Sequence, residues 1–236
     1  MITFEILTIF PEIFAAYASE SLLKRAQEMK LVKINVSNLR DFALDRHRSV
    51  DDSPYGGGFG MVMKPDVIFR ALKITAGLKK TGSKFKPSAR TKVILLSPRG
   101  KKFDQKMAAK LAREKKLVFV CGRYEGVDER VAKKMSDLEI SIGDFDLMGG
   151  EVAAMAIIET VSRLIPGVIG KPGFLADRSS KDGFFESAQY TRPAVFSPQK
   201  GVNWKVPPEL LSGDPKKVNE WRRKHGRFIG SAKRLA

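Results

Sequence analysis

Three short stretches carry glycine among polar residues, the last two beside carboxylates: "SPRGKK" from Ser97, "GRYEGVDE" from Gly122 and "GDFDLMGGE" from Gly143. Gly122, Gly126, Gly143, Gly149 and Gly150 carry no Cβ, so backbone N–H and C=O groups there can approach a ligand closely and read an adenine edge. Leu96, Ile142 and Leu147 supply apolar walls. Glu125 and Asp144 add negative charge, which suits a cationic or ribose-bearing cofactor better than a phosphate. That combination fits S-adenosylmethionine. The same glycines equally suit tight strand-to-helix turns.

Other chemistries find little footing. His47 and His225 lie far apart and Cys121 is the single cysteine, so the nitrogen and sulfur ligands of a zinc site are missing. "LLSPRG" is not a nucleophile elbow, and there is no Walker A sequence. "YGGGFG" does not run directly from a strand into a helix, which argues against a dinucleotide fingerprint. Cys121 sits in "LVFVCG" and reads as a buried structural thiol. "VDDSPYGGGFGMVMKP", Val50 to Pro65, joins two adjacent carboxylates to a glycine-rich run. It reads either as a solvated turn or as a loop able to close over a flat ligand.

These candidates must be held by regular elements. "TFEILTIF" and "LVKINVSNL" read as strands, the second by alternation of Val32, Ile34 and Val36 with polar residues. "PEIFAAYASESLLKRAQEMK" and "PDVIFRALKITAG" have helical spacing, each with proline in its first turn. "LKKTGSKFKPSART" reads as a basic surface connector. Then "KVILLS", "LVFVCG" and "LEISIGD", with few polar residues, alternate with the helical stretches "FDQKMAAKLAREKK", "VDERVAKKM" and "EVAAMAIIETVSRLIP". Apolar strands alternating with helices predict an α/β fold whose mainly parallel sheet is covered on both faces. Ligands in such sheets bind beyond the carboxyl ends of the strands, where the three glycine-bearing stretches fall. The last helix of the series is apolar on most faces, so core, or core plus a second subunit, must cover it.

The expected organisation is a cofactor-binding domain over 1–166, an irregular linker and catalytic loop over 167–201, and a small basic helical domain over 202–236. The chain of 236 residues has 43 Lys and Arg against 26 Asp and Glu, a formal net charge of +17. That surplus favours a polyanionic partner, nucleic acid first. Arg222, Arg223, Lys224 and Arg227, interleaved with Trp221 and Phe228, form a basic cluster with the aromatic interleaving that RNA binding needs, and Lys101 and Lys102 add to it. No apolar run reaches the roughly 18 residues of a spanning helix. Glu5 and Glu12 stand where a signal peptide would be basic or apolar, so a cytoplasmic location without membrane attachment is expected.

Six stretches in order, "DRHRSVDDSPYGGGFGM", "LLSPRGKKFDQ", "VCGRYEGVDERV", "SIGDFDLMGGE", "SRLIPGVIG" and "YTRP", closely resemble the bacterial tRNA (guanine-N1)-methyltransferases that modify guanosine 37. The resemblance runs nearly the whole chain, through "VPPELLSG". It implies a SPOUT fold with a C-terminal trefoil knot, a homodimer, tRNA rather than DNA as partner, S-adenosylmethionine as cofactor and Mg²⁺ at a site the residues do not indicate. By matching motifs it implies cofactor contacts from Leu96, Ser97, Pro98 and Gly100, from Gly122, Tyr124 and Glu125, and from Ile142, Gly143, Asp144, Phe145, Asp146, Leu147, Gly149 and Gly150. Asp51 and Gly60 would reach the guanine, with Asp51 or Asp52 accepting from N1–H and the 2-amino group. Arg46, His47 and Arg48 would hold phosphates.

The chemistry is consistent with those assignments. Guanine N1 is a poor nucleophile until it loses its proton, which a positioned carboxylate can accept. The charge that then grows on O6 calls for a guanidinium, by motif Arg163 in "SRLIPG". The base falls in "ADRSSKDGFF", which departs from the family pattern: ungapped counting puts Arg178 at the aspartate position. Asp177, one residue earlier, is assigned as the base because loops tolerate a shift of one residue, and Asp182 is the alternative. Met148 and Phe59 are smaller departures, one in the cofactor wall and one in the glycine-rich loop.

Overall fold

The computed structural model describes residues 1–170, 179–180 and 183–230, which fall into two compact units, Met1–Pro172 and Gly173–Ala236. In chain order the first unit holds β1 (Ile2–Thr8), α1 (Ile13–Ala18), α2 (Ser21–Glu28) and β2 (Val32–Asn38), then a short 3₁₀ turn. It continues with β3 (Asp51–Asp52), β4 (Val62–Met63), α3 (Pro65–Thr75), β5 (Lys79–Thr81) and β6 (Lys84–Lys86). The remainder is β7 (Thr91–Lys102), α4 (Gln105–Leu111), β8 (Lys116–Cys121), α5 (Glu129–Lys134), β9 (Leu138–Ser141) and α6 (Glu151–Ser162). The helix expected over "PEIFAAYASESLLKRAQEMK" is two helices. Glu20 takes an extended conformation, and the Ser19 N–H folds back onto Ala16.

Five strands form the main sheet in the order β2-β1-β8-β7-β9, every pairing parallel. Side chains alternate across a strand, and here each face finds a core. On one side Phe4, Ile94, Leu96, Leu117, Phe119 and Ile140 pack beneath α1, α2, α4 and α6. On the other, Leu7, Val93, Leu95, Val118 and Val120 pack beneath α3 and α5. Burial on both faces explains why these strands read as continuous apolar runs rather than alternating ones. Among the described residues no helix is long and apolar enough to cross a membrane.

The ladder between β7 and β9 is interrupted once. β7 pairs with β9 through Leu96↔Ile140, leaves the ladder, and rejoins it at Lys101↔Ile140 and Lys102↔Ser141. The excursion Ser97–Gly100 is thereby thrown outward at the carboxyl end of the sheet. Gly100 sits where the chain re-enters, and a Cβ there would overlap the backbone of Glu139 and Ile140.

The second unit, in which 202–236 is expected to be helical, is mixed. It holds β10 (Ser179–Ser180), β11 (Gly183–Ser187), β12 (Val195–Gln199), β13 (Val202–Lys205), α7 (Pro208–Leu211), α8 (Pro215–His225) and β14 (Gly226–Gly230). β11 pairs antiparallel with β14, and β12 with β13. Several of these strands fall inside the stretch 167–201 read as irregular. Short, polar antiparallel strands with exposed faces give little periodic signal. Trp221 is the buried anchor of α8, edge-on to Tyr190 and stacked on His225.

Phe119 is fully buried at the centre of the sheet, its ring 6.4 Å from that of Phe4. Phe119→Ala is expected to lower unfolding free energy by about 3–5 kcal/mol with an unchanged denaturant slope. Urea titration followed by circular dichroism checks this, and a loss below about 1 kcal/mol would contradict the packing described.

Candidate functional site

Beyond the carboxyl ends of β7, β8 and β9 lies a cleft of about 1110 Å³. Its floor is apolar, formed by Leu95, Leu96, Ile140, Ile142 and Ala153, and it is flanked by the excursion Ser97–Arg99, the stretch Gly122–Arg130 and the stretch Phe145–Gly150. The three glycine-bearing stretches picked out in the sequence therefore converge on one space. Twelve of the expected cofactor residues line it: Leu96, Ser97, Pro98, Gly122, Tyr124, Glu125, Ile142, Phe145, Asp146, Leu147, Gly149 and Gly150. Gly100, Gly143 and Asp144 do not line it. Gly100 instead spaces β7 from β9, and Asp144 turns outward into an ion pair with Lys102.

Hydrogen bonds lock the stretches together. The Gly150 N–H donates to the Gly122 carbonyl at 3.0 Å. A Cβ on Gly150 would come within 2.8 Å of Cys121 Cα and 3.1 Å of Leu96 Cβ, so only glycine lets α6 start this close to β7 and β8. The glycine-rich segment is tied in as well. Met63 N–H donates to Gly126 O at 2.9 Å, Glu125 N–H to Met61 O at 3.0 Å and Asp128 N–H to Met63 O at 3.1 Å. The ribbon that carries Asp51 and Asp52 is thus an extension of the cleft wall, and Asp52 itself lines the cleft.

Between the two halves of that ribbon, Gly56, Gly57, Gly58 and Gly60 all have positive φ, from 78° to 121°. Gly60 abuts the Glu125 side chain, which a Cβ would displace. Tyr55 and Phe59 in the same loop are wholly solvent-exposed, at 100% and 99%. In the sequence Phe59 stood out only as a departure within the loop. Two bare aromatic faces beside a cleft are suited to stacking on a base.

The polar framework rests on a pair that the sequence did not single out. Glu151, 1% exposed, accepts from Thr8 Oγ1 at 2.6 Å and from Arg123 Nε at 2.9 Å, with Arg123 Nη2 also at 2.9 Å. The Arg123 guanidinium also lies 4.7 Å over the Phe10 ring. The only signal was the glutamate closing "GDFDLMGGE"; its partners lie in stretches remote in sequence. Cys121 sits beside this pair. Burial first, and the Glu151 charge second, push its thiol well above the usual range, so it holds no thiolate nucleophile.

Charge in the cleft runs against that of the chain. Asp52, Asp66, Glu125, Asp128, Glu129, Glu139 and Asp146 line it, against Lys64, Arg99, Arg123 and Arg130. Asp128 is held below the usual carboxylate range by the hydrogen bond from Arg130, and Glu129 by that from Arg99. Among the described residues Asp52, Glu125 and Asp146 are in no ion pair, and they leave net negative charge facing the space. An apolar floor under unpaired carboxylates suits a ligand that combines a planar apolar ring with a positive charge. Among the described residues no three of His, Cys, Asp or Glu converge as a metal site.

The remaining expectations fall elsewhere. Arg46, His47 and Arg48 lie on an exposed loop before β3, where Arg48 pairs with Asp41 at 3.3 Å. Arg163 caps the far end of α6 and is exposed, about 20 Å from Gly150 at 1.5 Å per residue. The chain's own cleft does not receive it. Asp177 and Asp182 lie outside the described residues.

A family model described as tRNA (Guanine-1)-methyltransferase TrmD matches residues 2–235. The chain is 47% identical over 220 residues to a tRNA (guanine-N(1)-)-methyltransferase of Dehalococcoides mccartyi strain BAV1, covering 93% of this chain and 84% of the relative. A protein of the same name from Dictyoglomus turgidum is 50% identical over 224 residues, 95% and 84% of the two chains. One from Clostridium perfringens is 45% identical over 229 residues, 97% and 90%.

Removing one partner of a buried ion pair strands the other charge. Arg123→Met is expected to cost about 3–5 kcal/mol in chemical denaturation, and Arg123→Met with Glu151→Leu to recover part of that loss. Simple addition of the two single losses would show that the pair is not coupled.

Proposed function

We propose, since the chain belongs to the tRNA (guanine-1)-methyltransferase family, that it transfers a methyl group from S-adenosylmethionine to N1 of guanosine 37 in tRNA. The observation that carries this reading is the cleft. Its apolar floor can take an adenine, and its unpaired Glu125 and Asp146 complement a sulfonium. Leu96, Ile140 and Ile142 would enclose the base and Gly122 and Gly149 would admit it without side-chain interference. When bound, S-adenosylmethionine supplies a methyl group on a positively charged sulfur, which leaves as a neutral thioether once N1 has taken the methyl.

The chain's own part is to make N1 a nucleophile. A carboxylate, assigned to Asp177 with Asp182 as alternative, accepts the N1 proton, and the N1 electron pair becomes available. Arg163 offsets the charge that grows on O6. Asp52 faces the cleft and can accept from the guanine 2-amino group, while Tyr55 and Phe59 offer stacking faces for the displaced base. Magnesium is given no step, because the described residues form no carboxylate cluster for it.

The reading includes a homodimer. Arg163 lies at the end of α6 away from its own cleft, so in this reading a second copy supplies it. On α6 the exposed positions Val152, Ala156 and Glu159 share one face, and Phe10 and Ile13, before and within α1, are also exposed. Sedimentation equilibrium should return twice the 26.3 kDa chain mass.

Purified protein with radiolabelled cofactor should label a tRNA transcript carrying guanosine at 37 and leave one with adenosine there unlabelled. Label confined to ribosomal RNA, or tRNA binding with no label, would overturn the reading. Arg163→Ala and Asp177→Asn should each slow single turnover by about 10² or more. Full rate in Asp177→Asn with loss in Asp182→Asn would move the base to Asp182.

A further inference from the structure

The basic connector read from "LKKTGSKFKPSART" is an ordered two-stranded ribbon, β5 and β6, turning at Gly82 with φ 60°. Its register pairs Lys79 with Lys86, Lys80 with Phe85 and Thr81 with Lys84. Directly opposed residues share a face, so Lys79, Lys84 and Lys86 stand together on one side and Phe85 points to the other. Phe85 is half-buried against Phe69 of α3, edge to face at 4.8 Å, which fixes the ribbon with its lysine face outward. All three lysines are exposed. Among the described residues none of them is in an ion pair with a carboxylate.

Like charges directly opposite each other across two strands destabilise the pairing. A fold that holds Lys79 against Lys86 without a counter-charge has built a surface that a polyanion would relieve. The ribbon leads into the amino end of β7, whereas the cleft lies past Leu96, about 16 Å further along that strand at 3.3 Å per residue. It is therefore a place apart from the reacting base, reachable only by a long substrate.

We propose that the lysine face of the Lys79–Lys86 ribbon docks the phosphate backbone of the tRNA substrate, away from the methylated base. The proposal rests on the methyl-transfer reading for the identity of the RNA, but its test does not depend on catalysis. The triple variant Lys79→Gln, Lys84→Gln, Lys86→Gln should bind unmodified tRNA about tenfold more weakly at moderate salt. Its logarithmic salt slope should be shallower by about 2–3, close to one per lost phosphate contact. Turnover at saturating tRNA and calorimetric binding of S-adenosylmethionine should be unchanged. The triple Lys→Arg variant should restore affinity. An unchanged salt slope, or failure of arginine to restore it, overturns the proposal, as does loss of binding to anionic lipid vesicles with tRNA affinity intact. If wild-type protein binds tRNA with this salt slope yet labels no guanine, the methyl-transfer reading fails and the ribbon proposal stands.

Discussion

A carboxylate buried almost completely, that of Glu151, is the constraint around which the cleft is organised. Burying a charge without partners costs several kcal/mol, so a carboxylate placed there needs them. Its partners are Thr8 at the end of β1 and Arg123 just after β8, and it stands on the first residue of α6. One ionic contact therefore ties the ends of two strands to the start of the helix that closes the cleft. Arg123 carries the link further, through Nη1 to the Met148 carbonyl at 3.3 Å and through its backbone N–H to the sulfur of Met63. With the Gly150-to-Gly122 hydrogen bond, contacts within the chain hold these walls together.

Around that centre the charge is divided by place. The chain as a whole is strongly cationic, as a protein that handles RNA phosphates is expected to be. The cleft is lined by more carboxylates than cations, several of them unpaired. In the proposed reading, a positively charged methyl donor and a negatively charged nucleic acid would thereby be drawn to different parts of one molecule. The glycine-rich loop is hydrogen-bonded to the cleft wall at one end and bears the bare rings of Tyr55 and Phe59.

The sheet was legible because its strands are buried on both faces. "KVILLS" and "LVFVCG" are uninterrupted apolar runs between helical stretches, and only a covered parallel sheet suits that pattern. The cleft was legible because ligand sites gather where such strands end, and the glycines marked those ends. The Glu151–Arg123–Thr8 contact was not, since pairing between residues 28 and 143 positions apart leaves no local trace. The β5–β6 ribbon was read as a loop because lysine-rich strands with one hydrophobic anchor imitate a solvated connector. In the second unit β12 and β13 escaped because their faces are largely exposed, so no alternation is imposed on them.

The most direct test of this account is calorimetric titration of the purified chain with S-adenosylmethionine, before any RNA is added. Saturable uptake of one molecule per cleft, displaced by the demethylated thioether and lost in Gly150→Val while the protein stays folded, is the predicted result. Absence of uptake by well-folded wild-type protein, or uptake undiminished in Gly150→Val, would contradict it.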